Sequence, residues 1–193
     1  MNCPSSYTVD TDNGDCFAAD QTWTNPNATD NCNLMMFDVT YGDGSGGSNT
    51  PSSYPADVNY LGLNAFGGQT EMDKTFQLGV TLVTFTFTDE NSNTASCTMT
   101  VTVEDNELPM AVCPTTAPVV SLDANGMGTL AADALAGGNS TDNCGAPTET
   151  SPMTVYTCAD IGTQTVVLTA NDGNGNTNTT NCSVTVQDVI DPL

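Results

Sequence analysis

The chain has 193 residues, enough for two ordinary domains, and its 23 acidic residues and single cation, Lys74, give a formal net charge of −22. This charge disfavours nucleic acid and anionic membrane surfaces as partners, because both require a basic surface. No apolar run approaches the roughly 20 residues that span a bilayer, so we expect no membrane insertion. Histidine is absent, which excludes a Ser-His triad. No carboxylate pair stands out as catalytic, and we predict that the chain is not an enzyme.

Eight cysteines are a high and even count. Zinc sites usually contain a CxxC pair or a nearby His, and neither occurs here. The cysteines therefore predict structural disulfides formed in an oxidising compartment, and with them a secreted or cell-surface location.

Two parts of the sequence repeat each other. The segment 84–105, TFTFTDENSNTASCTMTVTVED, matches 166–188, VVLTANDGNGNTNTTNCSVTVQD, and TDNC occurs at both 29–32 and 141–144. Asp89 precedes Asp105 by sixteen residues, and Asp172 precedes Asp188 by the same number. Such fixed spacings are typical of tandem repeats. We predict two domains, residues 1–109 and 110–193. Because the second copy stops where a third would begin, neighbouring repeats or identical subunits are the expected partners.

The first repeat contains an insertion. Asp30 and Asp89 are 59 residues apart but Asp142 and Asp172 only 30, so the first repeat carries 29 additional residues, which we place within 40–76. This stretch is rich in Gly, Ser and Pro and predicts a long loop with room for one short strand or helical turn. Its aromatic residues predict either a small core that anchors the loop, which we favour, or a surface that stacks on glycans. These residues are Tyr41, Tyr54, Tyr60 and Phe66.

Strand patterns dominate the rest of the chain. In VTFTFT at 83–88 and CTMTVTV at 97–103, apolar residues alternate with Thr, which predicts one face in a core and one face in water. The second repeat has the same alternation, and each pair of runs flanks a polar turn, which predicts a hairpin. Trp23 is also predicted to be a core residue. Residues 128–138 are the best helical candidate, with an edge strand and a turn as the alternative. Together these patterns predict a two-sheet β-sandwich in each repeat.

The motifs resemble the hyalin repeat (HYR) family. The segments that carry the resemblance in the first copy are WTNPNATDNC and TASCTMTVTVEDNELP; in the second copy, VSLDANGMGTL and YTCADIGTQTVVLTANDGNGN resemble related repeats in surface proteins of Bacteroidetes-type bacteria. The resemblance implies an all-β fold of two tandem immunoglobulin-like sandwiches with an extracellular role in adhesion or spacing, and no catalysis. The long insertion departs from the family pattern.

Four cysteines in each repeat allow three pairings. The placement of cysteines in the family favours Cys3–Cys97 and Cys113–Cys182, which tie the first strand of each repeat to its last. The remaining pairs are then Cys16–Cys32 and Cys144–Cys158. Each bond is expected to contribute roughly 2–4 kcal/mol of stability.

Calcium is the predicted cofactor. The hairpin turns DENSN and DGNGN and the boundary motifs EDNELP and QDVIDP place carboxylate and amide oxygens at short spacings, which suits a hard cation. We expect the turn and the boundary motif of one repeat to meet at the same end of the sandwich, if the hairpin is asymmetric. The alternative is an Asx-rich turn without metal. The candidate ligands are Asp89, Asn91, Asn93, Glu104, Asp105, Glu107, Asp172, Asn174, Asn176 and Asp188.

The predicted function is therefore a structural or adhesive repeat unit of a cell-surface or filamentous protein. Two alternatives stay open. The insertion could make the first repeat a carbohydrate-binding module for surface glycans, or the chain could be the subunit of a self-assembling extracellular fibre. If the chain is an adhesive repeat, other cell-surface proteins are possible partners.

Overall fold

The computed structural model describes residues 3–24, 26, 28–29, 34–43, 52–55, 65–66 and 70–191. The chain forms two compact units, Met1–Asp105 and Asn106–Leu193. The predicted boundary, after Pro109, lies four residues later. Each unit is built from β-strands that form a large sheet and one or more two-stranded sheets, so the predicted all-β fold of tandem sandwiches is confirmed.

The first unit contains one five-stranded sheet, in the order β1-β9-β8-β4-β5, and two short pairs, β2–β7 and β3–β6. Strands β8 and β9 are joined by a tight hairpin and remain in register over ten consecutive residue pairs. The strands are β1 (Tyr7–Asp10), β2 (Phe17–Thr24), β3 (Ala28–Thr29), β4 (Leu34–Asp43), β5 (Ser52–Pro55), β6 (Ala65–Phe66), β7 (Thr70–Gln77), β8 (Gly79–Asp89) and β9 (Thr94–Glu104).

The core of the first unit follows the predicted alternation. Every second residue of β8 and β9 points inward, and Phe85 and Val101 have no exposed surface. These side chains form one cluster with Ala18 and Trp23 of β2 and Phe76 of β7, which confirms the prediction for Trp23. Burial of a large apolar side chain stabilises the fold by roughly 1.5–3 kcal/mol, so this cluster holds the two sheets together.

The insertion is not simply a long loop. Strands β5 and β6, the end of β4 and all but the last residue of β7 lie within residues 40–76, so the expectation of a long loop with one short strand or helical turn was wrong. Phe76 and Lys74 alternate with exposed residues, so β7 can pair with β2 and close the core despite its polar composition. Tyr41 lies in β4 and is 9% exposed, packed near Trp23 and Phe76. The glycan-stacking prediction is therefore wrong for Tyr41, which belongs to the core.

The second unit has a four-stranded sheet, in the order β10-β15-β14-β12, and a two-stranded sheet of β11 and β13. Its core is again formed by alternating residues of the long hairpin, among them Leu168 and Val184, which are fully buried. The elements are β10 (Val119–Leu122), β11 (Met127–Leu130), β12 (Thr148–Thr150), β13 (Thr154–Thr157), a 3-10 helix (Cys158–Asp160), β14 (Gly162–Asn171) and β15 (Thr177–Asp188).

The segment 128–138 forms a strand and a turn rather than a helix. Its first residues belong to β11, and Leu130 and Leu135 both lie in the core. The five-residue spacing between these two leucines exceeds one helical turn, and the backbone of Asp133 has a positive φ of 58°, which interrupts any helix. Within the described residues, no helix has the length and apolar character needed to cross a bilayer.

In both units the first strand pairs in parallel with the last. Strand β1 pairs with β9, and β10 pairs with β15. A disulfide crosslinks the same two parts of each unit: Cys3 to Cys97, with 5.9 Å between Cα atoms, and Cys113 to Cys182, with 5.4 Å. These two predicted pairs are confirmed.

The predicted pair Cys144–Cys158 is wrong. Cys158 is a free, exposed thiol close to the carbonyl of Gly126, whereas Cys144 is disulfide-bonded. Cys158 precedes the start of β14, but Cys144 follows Asp142, whose carboxylate lies near Asp172 beyond the end of β14. Ten residues of strand span about 33 Å, far beyond the ~7 Å that a disulfide tolerates between Cα atoms.

The predicted pair Cys16–Cys32 stays a prediction. Cys16 is disulfide-bonded, but Cys32 lies outside the described residues.

Candidate metal site

The turn between β14 and β15 is closed by the side chain of Asp172. Its Oδ1 accepts hydrogen bonds from the backbone N–H groups of Asn174, at 2.8 Å, and Asn176, at 3.0 Å. Its Oδ2 accepts from Asn176 Nδ2 at 2.7 Å. Gly173 and Gly175 both have positive φ, which the tight turn requires and which glycine adopts without strain. The Asp, Gly and Asn residues of this turn therefore have a structural role, because they form the hydrogen bonds and backbone angles that the turn requires.

The turn between β8 and β9 repeats this arrangement. Asp89 accepts from the backbone of Asn91 and Asn93, each at 2.8 Å, and from Asn93 Nδ2 at 2.7 Å. The hydrogen bond from the Asn93 side chain, with smaller contributions from the two backbone groups, lowers the pKa of Asp89. For Asp172, burial alone would raise the pKa, but the bonds from Asn176 and the backbone outweigh it and the pKa is lowered. Both carboxylates are therefore ionised at neutral pH.

Three carboxylates converge where the chain enters the second unit. One oxygen each of Asp105, Asp142 and Asp172 lies within 4.8 Å of the others. Asp105 is only 5% exposed, and the other two are half-buried. Asp142 is oriented by its own turn, where its Oδ2 accepts from the backbone of Cys144 at 2.9 Å.

The spacing of these oxygens suits a hard cation. Calcium binds oxygen at 2.3–2.6 Å, so two ligands on opposite sides of the ion lie about 5 Å apart. Two unit charges at the observed separation repel each other by about 3 kcal/mol at an effective dielectric constant near 20. A bound divalent cation would replace this repulsion with attraction. The residues present therefore fit calcium, with three carboxylates supplying part of its usual six to eight oxygen ligands.

The structure brings together two of the predicted ligands, Asp105 and Asp172. The third carboxylate, Asp142, belongs to the repeated TDNC motif but is not among the predicted ligands. The signal available in the sequence was that this motif recurs with an invariant Asp in both copies, at positions 30 and 142.

The expectation that Asp89 and Asp105 share one end of the sandwich was wrong. The hairpin has no register shift between Thr88 and Gly79, so the two carboxylates lie beyond opposite ends of β9. Eleven strand residues separate them by about 35 Å. Asp188 is likewise at the opposite end of β15 from Asp172, where it accepts a hydrogen bond from the backbone of Ile190 at 3.0 Å.

The other predicted ligands do not belong to the cluster of three carboxylates. Glu104 is exposed at the end of β9, on the face opposite to the core residue Val103. Glu107 is half-buried and follows the boundary between the two units.

The aromatic residues predicted to contact glycans include three besides Tyr41. Tyr54 lies in β5 and Phe66 lies in β6, but their side chains are outside the described part of the structure. Tyr60 lies entirely outside the described residues.

Comparison with known proteins agrees with the pattern of the first repeat. Residues 57–103 match the HYR domain family. The HYR match contains strands β7 and β8 and most of β9, including the turn of Asp89. It does not extend into the second unit, so a tandem pair of HYR domains stays a prediction.

A search of curated proteins found no match. Among solved structures, the chain is similar to one described as "Structures of Clostridium thermocellum CbhA fibronectin(III)-like modules". The identity is 11%, the alignment covers 95% of this chain and 90% of that chain, and the TM-score is 0.29.

Proposed function

We propose that the chain is a non-catalytic, extracellular structural or adhesive repeat unit of a cell-surface or filamentous protein. The observation that carries this proposal is the HYR match over the strands that form the β8–β9 hairpin. The two disulfides that join the start of each unit to its last strand support it, because such bonds form and persist in oxidising compartments outside the cytosol.

The location can be tested on the source cells with an antibody against the purified chain. We expect it to label intact, non-permeabilised cells or secreted filaments. Labelling that appears only after the cells are lysed would contradict the proposal. An antibody against a cytosolic protein, applied in parallel, verifies that the cells are intact.

Calcium is the proposed cofactor, held by Asp105, Asp142 and Asp172. Bound calcium would hold together the turns that contain Asp142 and Asp172. Its free energy of binding would add directly to the stability of the folded chain, because an ordered site of this kind is absent from the unfolded chain. The role we propose for the ion is therefore structural rather than catalytic.

The calcium proposal can be tested with two variants that remove the same charge. Asp142→Asn alters the cluster of three carboxylates, whereas Asp188→Asn removes a carboxylate at the far end of β15. We expect calcium to raise the melting temperature of the wild type and of Asp188→Asn relative to EDTA, and to have a much smaller effect on Asp142→Asn. Equal calcium responses of the two variants would place the ion elsewhere, and no response in the wild type would exclude it.

A further inference from the structure

Strand β14 has one long edge without a neighbouring strand. On one side it pairs with β15 along all ten of its residues. On the other side β12 pairs with only Thr169, Ala170 and Asn171. Within residues 106–191, all of which the structure describes, no strand pairs with the other edge of Gly162–Leu168. This open edge, residues 162–168, presents backbone donors and acceptors that a further strand could satisfy.

The first unit shows what the open edge lacks. There β8, which precedes the Asp89 turn as β14 precedes the Asp172 turn, pairs with the long strand β4 over Thr81–Asp89. The counterpart of β4 in the second unit, β12, leaves the sheet early. Its chain turns at Ser151, where the backbone of Ser151 exchanges hydrogen bonds of 3.0 Å with the backbone and side chain of Asp133. These bonds hold the chain away from β14 and keep the edge open.

The open edge carries none of the usual protection. Natural proteins guard exposed edges with charges, prolines or bulges. Residues 161–171 contain no charged residue and no proline, although the chain has a net charge of −22. The register with β15 runs without a bulge. The other edge strand at this side of the sheet, β12, contains Glu149, and β10 on the far side is followed directly by Asp123.

We propose that the open edge pairs with the same edge of a second copy of this chain. The midpoint of residues 162–168 is Thr165, so an antiparallel pair centred there places Thr165 opposite itself and Thr163 opposite Val167. All three side chains are exposed in the single chain and uncharged, and β-branched residues favour such cross-strand pairs. No like charges meet, which matters because each copy carries a net charge of −22. The two four-stranded sheets then become one continuous sheet around a two-fold axis.

The size of the contact predicts its strength. A seven-residue strand pair buries less surface than the roughly 1,200–2,000 Å² of stable complexes. The dimer is therefore expected to be weak and to depend on protein concentration, unless the chains are also held together in an array.

Crosslinking through an introduced cysteine tests the geometry directly. In the full chain with Cys158→Ser, Thr165→Cys would place two thiols opposite each other across the two-fold axis, with Cα atoms about 5 Å apart. Ser183 lies opposite Thr165 on β15, one strand further from the edge. Two Ser183→Cys residues would be about 14 Å apart in the dimer and could not form a disulfide.

Under mild oxidation we expect the Thr165→Cys chain to form a covalent dimer that a reductant reverses, and the Ser183→Cys chain to stay monomeric. Absence of the Thr165→Cys dimer would overturn the proposal, as would equal crosslinking at both positions. Sedimentation of chains without introduced cysteines gives a second measurement. Thr165→Lys should weaken the self-association at least tenfold, whereas Ser183→Lys, which adds the same charge to the same face, should leave it nearly unchanged. A wild-type chain that remains monomeric at millimolar concentration would also overturn it.

Discussion

Cys113 and Cys182 join the beginning of the second unit to its last strand across 69 residues of sequence. Closing a loop of this length removes conformational freedom from the unfolded chain, which in the chain-entropy account amounts to about 4 kcal/mol. We expect the double variant Cys113→Ser/Cys182→Ser to lose up to this amount of unfolding free energy, measured by urea denaturation. Cys158→Ser, which removes a cysteine without breaking a disulfide, is the control and should change it by less than about 0.5 kcal/mol. Equal losses in both would contradict the assignment.

Cys158 should react with a maleimide in the native, unreduced protein, because its thiol is free and exposed. Cys144 should not react, since it is disulfide-bonded. Digestion without reduction, followed by mass spectrometry, will locate the label. A peptide that links residues 144 and 158 through a disulfide would show that the assignment is incorrect.

Glu149 should make the stability of the second unit depend on pH. Its two carboxylate oxygens accept from the backbone of Gly138 at 2.6 Å and Ser140 at 2.8 Å. Burial alone would raise the pKa of Glu149, but hydrogen bonds from Ser140, Gly138 and Gly137 outweigh it, so the folded pKa lies below the unfolded one. The stabilisation is therefore complete above the unfolded pKa, near 4.3, and is lost as the pH falls through the lower folded value.

We expect Glu149→Gln to reduce the unfolding free energy by about 1–3 kcal/mol at pH 7. The difference from the wild type should shrink as the pH falls below about 4, because the wild-type side chain then becomes neutral as well. Chemical denaturation at several pH values measures both quantities. Glu104→Gln, which removes a charge from an exposed position, is the control. A difference that stays constant down to pH 3 would mean that the ionised carboxylate has no special role.

Lys74 should stabilise the first unit through Tyr41. Its Nζ lies 3.8 Å from the centre of the Tyr41 ring, which also packs edge-on against Trp23. Because the ring is buried, the cation–π contact is worth about 0.5–2 kcal/mol. Lys74→Gln should lose this amount, whereas Lys74→Arg, which keeps the charge, should retain most of it. If urea denaturation gives the same value for both variants, the contact contributes nothing measurable.

The long hairpins could be predicted from the sequence because their side chains have only two environments. Phe85 and Val184 alternate with polar neighbours, and burial follows this period of two. Strand β7 could not be predicted in this way, since TEMDKTFQ contains only two apolar residues, Met72 and Phe76, among six polar ones. The strand exists because β2 offers a partner, and such pairing depends on residues distant in sequence.

The cluster of three carboxylates was predicted only in part for the same reason. Asp105 and Asp172 could be selected because they occupy equivalent spacings in the repeated motifs. Their mutual proximity with Asp142 is a product of tertiary structure, because Asp142 follows Asp105 by 37 positions and precedes Asp172 by 30. The resemblance to a family predicted Cys113–Cys182 correctly but not the free Cys158, whose neighbour Gly126 comes from another strand connection.

The parallel pairing of β10 with β15 has a mechanical consequence. When the chain is pulled from both sides of the second unit, the two strands are drawn past each other, so their hydrogen bonds carry the load together rather than opening one after another. If these bonds do yield, Cys113–Cys182 still holds the residues between them, and only the short segments outside the disulfide can extend. The first unit has the same arrangement of β1, β9 and Cys3–Cys97. Under tension, each unit would lengthen by a few residues and then stop, which gives a chain of such units a nearly fixed maximum length.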